Sequence, residues 1–588
     1  MKKITLLFGL LIVTVIGFAQ ALSGTYKVGV GETAPNFASL SEAVTALNTN
    51  GLAGDVVLEI TSDITEAANI GLGVNTNGHS ITIRPDQDVN RTITFTQLAD
   101  NTSPTGHFVI GYPTSGLSVA WSDANTIATS NVTIDGYAVG GSERRLIFTN
   151  TNAAHTNARM IVVVGACQNT VVKNCIINNL TTNTGSPFCV GAVVRKGTAI
   201  EVAPTNLTID NNILTATGNA VAMGMRFTNS GTIASAKVEG LIIKNNTITA
   251  RRRLIEINYT NGADIYKNEF KTQQTGAPGT VSYGLWTSTA VTGTVKIHEN
   301  RFTQAFTEET GAFGHRVVSL SSGATYEIYN NMFAGLDKTK PSTAILNLAY
   351  LFYSGVSGKI YNNTFYMKAL TDPSAAATGY YNAIQLSGNT AEIKNNIFIS
   401  DEPTHANTAF ISAVPTPASD YNVYYLRQSH TGSKIVAAYT TLGDYQTANL
   451  TKDVNSRYVN VIFADAAAGD LSIAGASVKD EDLAVPRLDA VLTDILGTSR
   501  ATTTYAGAHE SELPFIFTSN ENIQQESIRV KQTFTGIEVE LDGTSNIELY
   551  NINGMLIDKT SADGVYTREL GKGMYIIRVN GQAQKFVR

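Results

Sequence analysis

Between residues 174 and 396 one short phrase recurs eight times: apolar residues around a polar one, then Asn, another residue, and soon an Ile, Leu or Phe. It reads VVKNCII at Val171–Ile177, TIDNNIL at Thr208–Leu214 and IIKNNTI at Ile242–Ile248, and continues as IYKNEF, IHENRF, IYNNMF, IYNNTF and IKNNIF. The leading Asn falls at Asn174, Asn211, Asn245, Asn268, Asn300, Asn330, Asn362 and Asn395, in steps of 23 to 37 residues. Self-similarity at such a period marks a stack of repeats. Each unit holds only short strands and turns, with no room for a pair of helices. At a sharp turn, Asn tolerates left-handed backbone dihedrals, and its amide can bond to the same amide one coil away. Both roles are expected of these residues.

A second β-rich run precedes most of the Asn phrases, as in YGLWTSTAVTG before TVKIHENRF. Strand, Gly/Ser/Thr turn, strand, Asn corner and apolar return make one coil of a parallel β-helix, with neighbouring coils about 4.8 Å apart. Val, Ile and Phe are expected in the lumen, and Thr, Lys and Asn on the outside. The stretch Phe37–Asn50 reads as an amphipathic helix with Leu40, Ala43, Val44 and Leu47 on one side, placed to plug the open end of the lumen. The expected organisation is a signal peptide at 1–21, a cap region at 22–60, the β-helix at 61–420, a closing segment at 421–512 and a small antiparallel β-sandwich at 513–588.

In repeat style, residues 25 to 510 resemble the right-handed parallel β-helix superfamily that includes pectate lyases and polygalacturonases. The resemblance implies an all-β, right-handed solenoid and leaves activity open. Within the closing segment, Asp494, Gly497 and Arg500, then Gly507, Ala508 and Glu510, resemble the ending of many bacterial β-helix surface proteins. Asp494 and Arg500 are expected to form an ion pair tying off the last coil.

The final block, with Tyr550-Asn551, Asn553-Gly554, Leu570, Gly573-Met574-Tyr575 and the basic ending Lys585–Arg588, resembles the type A C-terminal sorting domain of the type IX secretion system. That family most often has Leu-Pro-Lys-Gly where this chain has Leu570-Gly571-Lys572-Gly573. The resemblance implies three things: engagement of the type IX machinery in a Bacteroidetes-type host, export across the outer membrane, and removal of the domain. Attachment to surface lipopolysaccharide, or release, then follows. Residues 1–21, with Lys2 and Lys3, an apolar run Leu6–Phe18 and Ala19-Gln20-Ala21, read as a secretory signal. No later segment is apolar enough to cross a bilayer. The expected location is the outer cell surface or the medium.

A net charge of −6 with 15% charged residues excludes a strongly basic nucleic-acid binder. Cys167, Cys175 and Cys189 are odd in number, so at least one thiol is free, and their expected role is that of small apolar lumen residues. No Cys/His spacing supports a zinc site.

Known β-helix chemistries constrain the site further. Hydrolases need clustered carboxyls, one as acid and one to activate water. Here Gly314-His315-Arg316 and lone Asp210 or Asp264 lack companions. A calcium cage needs several carboxylates, and the central coils are poor in Asp and Glu, so no metal or other cofactor is expected. Basic residues do recur in the strand run: Arg159, Arg195, Lys196, Arg226, Arg251, Arg252, Arg253 and Arg316. Like charges at coil spacing are unfavourable without acidic partners or an anionic ligand. Arg226, Arg253 and Arg316 are therefore expected on one exposed face, with Glu256 and Trp286 beside them and His315 near by. The ligand-binding candidates are Arg226, Arg253, Arg316 and Trp286, and the catalytic candidates are Arg253, Arg226 and Glu256. Tyr283, Tyr350, Tyr353, Tyr380 and Tyr381 could stack on sugar rings or fill the lumen. Two functional readings stay open: a surface adhesin or scaffold binding acidic extracellular polysaccharide, and a polysaccharide lyase, or less readily a glycoside hydrolase, on a uronate-containing glycan. A third reading makes the arginines solvated strand-edge residues that bridge to scattered Glu.

Overall fold

The structure is a computed structural model of the chain. It describes residues 20–96, 105–112, 126–151, 158–180, 188–194, 201–216, 223–229, 236–251, 253–274, 282–307, 313–338, 346–355, 357–371, 379–388, 390–402, 407–414, 416–428, 433–515, 529–533, 535–541 and 543–587. The expected signal segment lies outside these residues, save Gln20 and Ala21. The chain divides into two compact units, Met1–Phe515 and Ile516–Arg588.

The first unit is a right-handed parallel β-helix built from three sheets of 13, 13 and 14 strands. One coil shows the plan. Arg253–Ile257 lies in the second sheet, Thr260–Tyr266 in the first and Glu269–Gln274 in the third. Each strand pairs in parallel with its equivalents in the coils before and after. Alternation of side chains sends one set into the lumen. Phe270, Phe302, Phe333, Phe365, Phe398 and Tyr424 stack there with centroids 4.6 to 5.2 Å apart. Tyr350, Tyr353 and Tyr381 are likewise fully buried, so these three cannot serve as surface platforms.

The Asn corner divides the two expected roles between adjacent residues. The left-handed position, with φ between 49° and 59°, is taken by Asn174, Asn211, Asn245, Lys267, Glu299, Asn330, Asn362 and Asn395. The stacked amides belong to the residue that follows a left-handed one: Asn212, Asn246, Asn268, Asn300, Asn331, Asn363, Asn396 and, after left-handed Tyr421, Asn422, whereas Asn174 is followed by Cys175. Each of the first seven amide nitrogens donates to the amide oxygen one coil on, at 2.9 to 3.1 Å. That oxygen also accepts the backbone N–H of the preceding rung, and all eight side chains are buried. Of the eight residues picked out by sequence, then, only Asn268 and Asn300 are rungs. The ladder ends on buried Asp453, whose carboxylate accepts Asn422 Nδ2 at 3.1 Å, Ser456 Oγ, Ser419 Oγ and Tyr424 OH.

The helix Leu40–Asn50 is capped by Ser39, whose side chain accepts the Glu42 N–H, and buries Leu40, Ala43, Val44 and Leu47 over the lumen. At the other end of the stack, the short helix Leu442–Ala448 contributes Leu442 and Tyr445 to the same core.

The Asp494–Arg500 expectation is corrected in partner and place. Arg500 pairs with Glu510 at 3.2 Å, while Asp494 accepts the backbone N–H groups of Leu496, Thr498 and Glu510. Nor does this network tie off the last coil. Arg500 donates to Asn330 Oδ1 at 2.9 Å, Asn330 Nδ2 to Thr493 O, and Asn395 Nδ2 to Pro486 O. The segment folds back along the side of the stack, and its Val461, Phe463, Leu483, Tyr505 and Ala508 form a second core with Met332, Ile397 and Val423 of the third sheet. Sequence could not foresee this, because the hydrogen-bonded docking partners lie 91 to 170 residues apart.

The second unit has antiparallel sheets of three and four strands. They share a core of Ile537, Val539, Ile547, Leu549, Tyr566 and Ile577, giving the expected small sandwich.

Cys167 and Cys175 are buried free thiols, and the Cys189 side chain lies outside the described residues. Burial pushes the Cys167 thiol up to about 12, as suits an inert core residue.

Candidate basic–aromatic site

The outer face of the second sheet carries the candidate residues. Parallel register aligns Arg226, Glu256, Trp286, Ser319 and Phe352 in one column, and Arg253, Tyr283 and Arg316 in the column three residues earlier. Loop lengths had hidden this alignment, because the distances from each arginine to its Asn corner differ.

Glu256 is the centre of the cluster. It is only 3% exposed, and its two oxygens face two guanidinium groups. Arg253 Nη1 lies 2.5 Å from Oε2, and Arg226 Nε lies 3.4 Å from Oε1. The second contact is an ion pair without hydrogen-bond geometry, since Arg226 Nε has no hydrogen-bond partner. A buried carboxylate flanked by two cations satisfies the requirement that buried charge be compensated. The Arg253 guanidinium also lies 4.8 Å from the Trp286 ring centroid and 5.3 Å from that of Tyr283, within cation–π range. Trp286 and Tyr283 keep part of their surface exposed.

Arg316 stands apart. Its guanidinium carbon lies 3.5 Å from the centroid of Phe352, a residue that sequence reading did not single out. The signal was present: Phe352 sits in the strand run LNLAYLFYS, one coil beyond Arg316. Among the described residues no carboxylate lies within ion-pair distance of Arg316.

The other candidates separate from this strip. His315 is buried against Ser282 Oγ, and desolvation pulls its imidazole down to about 3, so it is neutral at ordinary pH. Arg159 is buried at 4% exposure. Arg251 follows directly after the third-sheet strand Thr247–Ala250 and is half-buried, and Tyr380 is half-buried at the start of Tyr380–Ser387. Arg195, Lys196 and Arg252 lie outside the described residues. Asp210 is engaged by Lys244 and Asn245, and Asp264 by His298, all on the first sheet. Among the described residues no group of three or more His, Cys, Asp or Glu is placed to hold a metal ion. No helix among them is long and apolar enough to cross a membrane.

Chemically, the strip offers guanidinium donors and aromatic faces in successive coils. Glu256, with both oxygens taken up by arginines, is poorly placed to act as a free general base.

No protein-family model matches the chain, and no curated protein sequence matches it. Solved structures with some similarity include XylC in complex with xylose, at 9% identity and TM-score 0.33, covering 82% of this chain and 98% of that one. A second is the Dettilon tailspike protein, at 13% identity and TM-score 0.25, covering 68% and 64%. A third is a DFA-IIIase mutant from Arthrobacter chlorophenolicus A6, at 10% identity and TM-score 0.27, covering 74% and 92%.

Proposed function

We propose that this chain is an exported surface β-helix that binds extracellular acidic polysaccharide along the outer face of its second sheet, as an adhesin or glycan-binding scaffold. The observation that carries the reading is the alignment of Arg226, Arg253 and Arg316 with Tyr283, Trp286 and Phe352 in neighbouring coils. Coils about 4.8 Å apart present a row of donors and rings comparable in repeat with an extended sugar chain. Arg grips carboxylate or sulfate bidentately, and aromatic faces suit sugar rings. The Ile516–Arg588 unit acts in this reading as a sorting address, removed after passage through type IX machinery.

The test is a screen of the full mature chain against acidic and neutral polysaccharides, reading retention and cleavage together. Retention of an acidic glycan without shortening is expected. Release of an ultraviolet-absorbing unsaturated uronate would instead favour a lyase. Retention of no polysaccharide would defeat the proposal. Deleting the residues after Phe515 is expected to leave the protein folded but held inside the outer membrane, and surface display of the truncated chain would refute the sorting role.

A further inference from the structure

The arginines of the strip are not equivalent, and their difference specifies the ligand more narrowly. Arg226 and Arg253 share Glu256, so two positive charges already meet a buried negative one. Arg253 is further occupied on the rings of Trp286 and Tyr283. Arg316 has the ring of Phe352 on one face and no described carboxylate at its edge. A guanidinium stacked flat on a ring is held in orientation while its in-plane N–H groups stay directed at whatever lies beside it. Such a fork matches the paired oxygens of a carboxylate or sulfate. Ring and fork are also adjacent: Tyr283 and Arg316 are register partners, one coil or about 4.8 Å apart.

Resting on the glycan-binding reading above, we infer that the strip recognises a heteropolysaccharide in which a neutral sugar, seated at Tyr283 and Trp286, adjoins a residue whose carboxylate or sulfate is gripped by Arg316. Trp286 supplies sequence-tolerant stacking and Arg316 supplies discrimination. Anion recognition thus resides in one arginine, and the Arg226–Glu256–Arg253 cluster holds the platform in shape.

The experiment uses the full mature protein with three probes: a polysaccharide alternating neutral and uronate residues, its carboxyl-reduced derivative, and a sulfated neutral polysaccharide. Arg316→Gln is expected to weaken retention on the uronate polymer about tenfold or more, the loss usual for one charged hydrogen-bonded contact. Its retention on the reduced derivative is expected to be unchanged. Trp286→Ala is expected to weaken both by the same factor. Arg316→Lys, which keeps the charge and the covering stem but not the fork, is expected to fall between wild type and Arg316→Gln. Dependence on Arg316 with the uronate polymer identifies a carboxylate, and dependence with the sulfated polymer alone identifies a sulfate ester. Equal losses on acidic and reduced polymers in both Arg316 variants would overturn the inference and leave Arg316 as a cover for Phe352. Failure of the wild type to retain any probe would instead defeat the glycan-binding reading itself.

Discussion

One column of side chains on the outside of the third sheet runs almost the length of the stack, and its two halves have different fates. In the early coils it reads Thr92, Ile147, Ile176, Ile213 and Thr247, each partly exposed. In the late coils the same column reads Met332, Thr364, Ile397 and Val423, all buried. Glu269 and Arg301 mark the change, and Arg301 lies 3.7 Å from Asp470 of the segment that covers the late half. The corner follows suit. Asn245 is exposed and bonds to Asp210, whereas Asn330, Asn362 and Asn395 are buried and bond to the returning segment. The same kind of phrase therefore serves as a plain turn in one half and as a docking line in the other. What distinguishes them is a segment beginning after residue 456.

The strongest way to break that difference is at Arg500. Its guanidinium is fully buried and bonds to Asn330, Glu510, Tyr505 and Gly507. Arg500→Ala would leave Glu510 buried without its cation, at a cost of about 3 to 5 kcal/mol. In chemical unfolding the late coils should then lose protection from hydrogen exchange while the early coils keep theirs; uniform loss would show that the halves are one cooperative unit.

A smaller effect separates the two corner positions. Asn363→Ala removes five hydrogen bonds of an interior rung and should cost about 1 to 3 kcal/mol in equilibrium unfolding. Asn245→Gly, at a left-handed exposed position, should change stability by about 0.5 kcal/mol or less, because glycine adopts that backbone freely. Equal losses would contradict the division of roles.

The smallest effect is at the end of the ladder. Burial raises the Asp453 carboxyl above its usual 3.8, against the pull of its Ser419, Ser456, Asn422 and Tyr424 donors. A carboxyl raised on folding contributes its full stability below the unfolded pKa and loses it as pH rises through the folded value. Asp453→Asn keeps an acceptor on the last rung and has no charge to bury. Its stability relative to the wild type should therefore rise as pH is raised above about 4, as read from denaturation midpoints. A difference that stays constant as pH is raised would show that Asp453 does not titrate differently on folding.

The solenoid was legible because its signals are local. Alternating Val, Ile and Phe, turns rich in Gly and Asn, and a fixed repeat all lie within one coil. The helix over the lumen was equally plain, since Leu40, Val44 and Leu47 fall on one side. The error over the Asn phrase has a simple origin: IYKNEF and IHENRF carry Lys267 and Glu299 in the left-handed position, so aligning phrases on their first Asn mixed turn residues with rungs. Register across coils was harder, because loops of different length separate Arg226, Arg253 and Arg316 from their corners. Phe352 and Glu256 acquire their roles only through strand pairing. The burial of Tyr350, Tyr353 and Tyr381 likewise depends on which way each strand faces.

The asparagine ladder has a bearing on how such a protein can change length. Every interior rung gives to the coil ahead and takes from the coil behind, and only the last gives to something different, the Asp453 carboxylate. A whole coil added to or lost from the middle would find the same donors and acceptors waiting on either side, and neither end would need alteration. A change of one whole coil would therefore alter the reach of the outer faces by about 4.8 Å and leave the chain of amides unbroken, whereas a partial coil would break it.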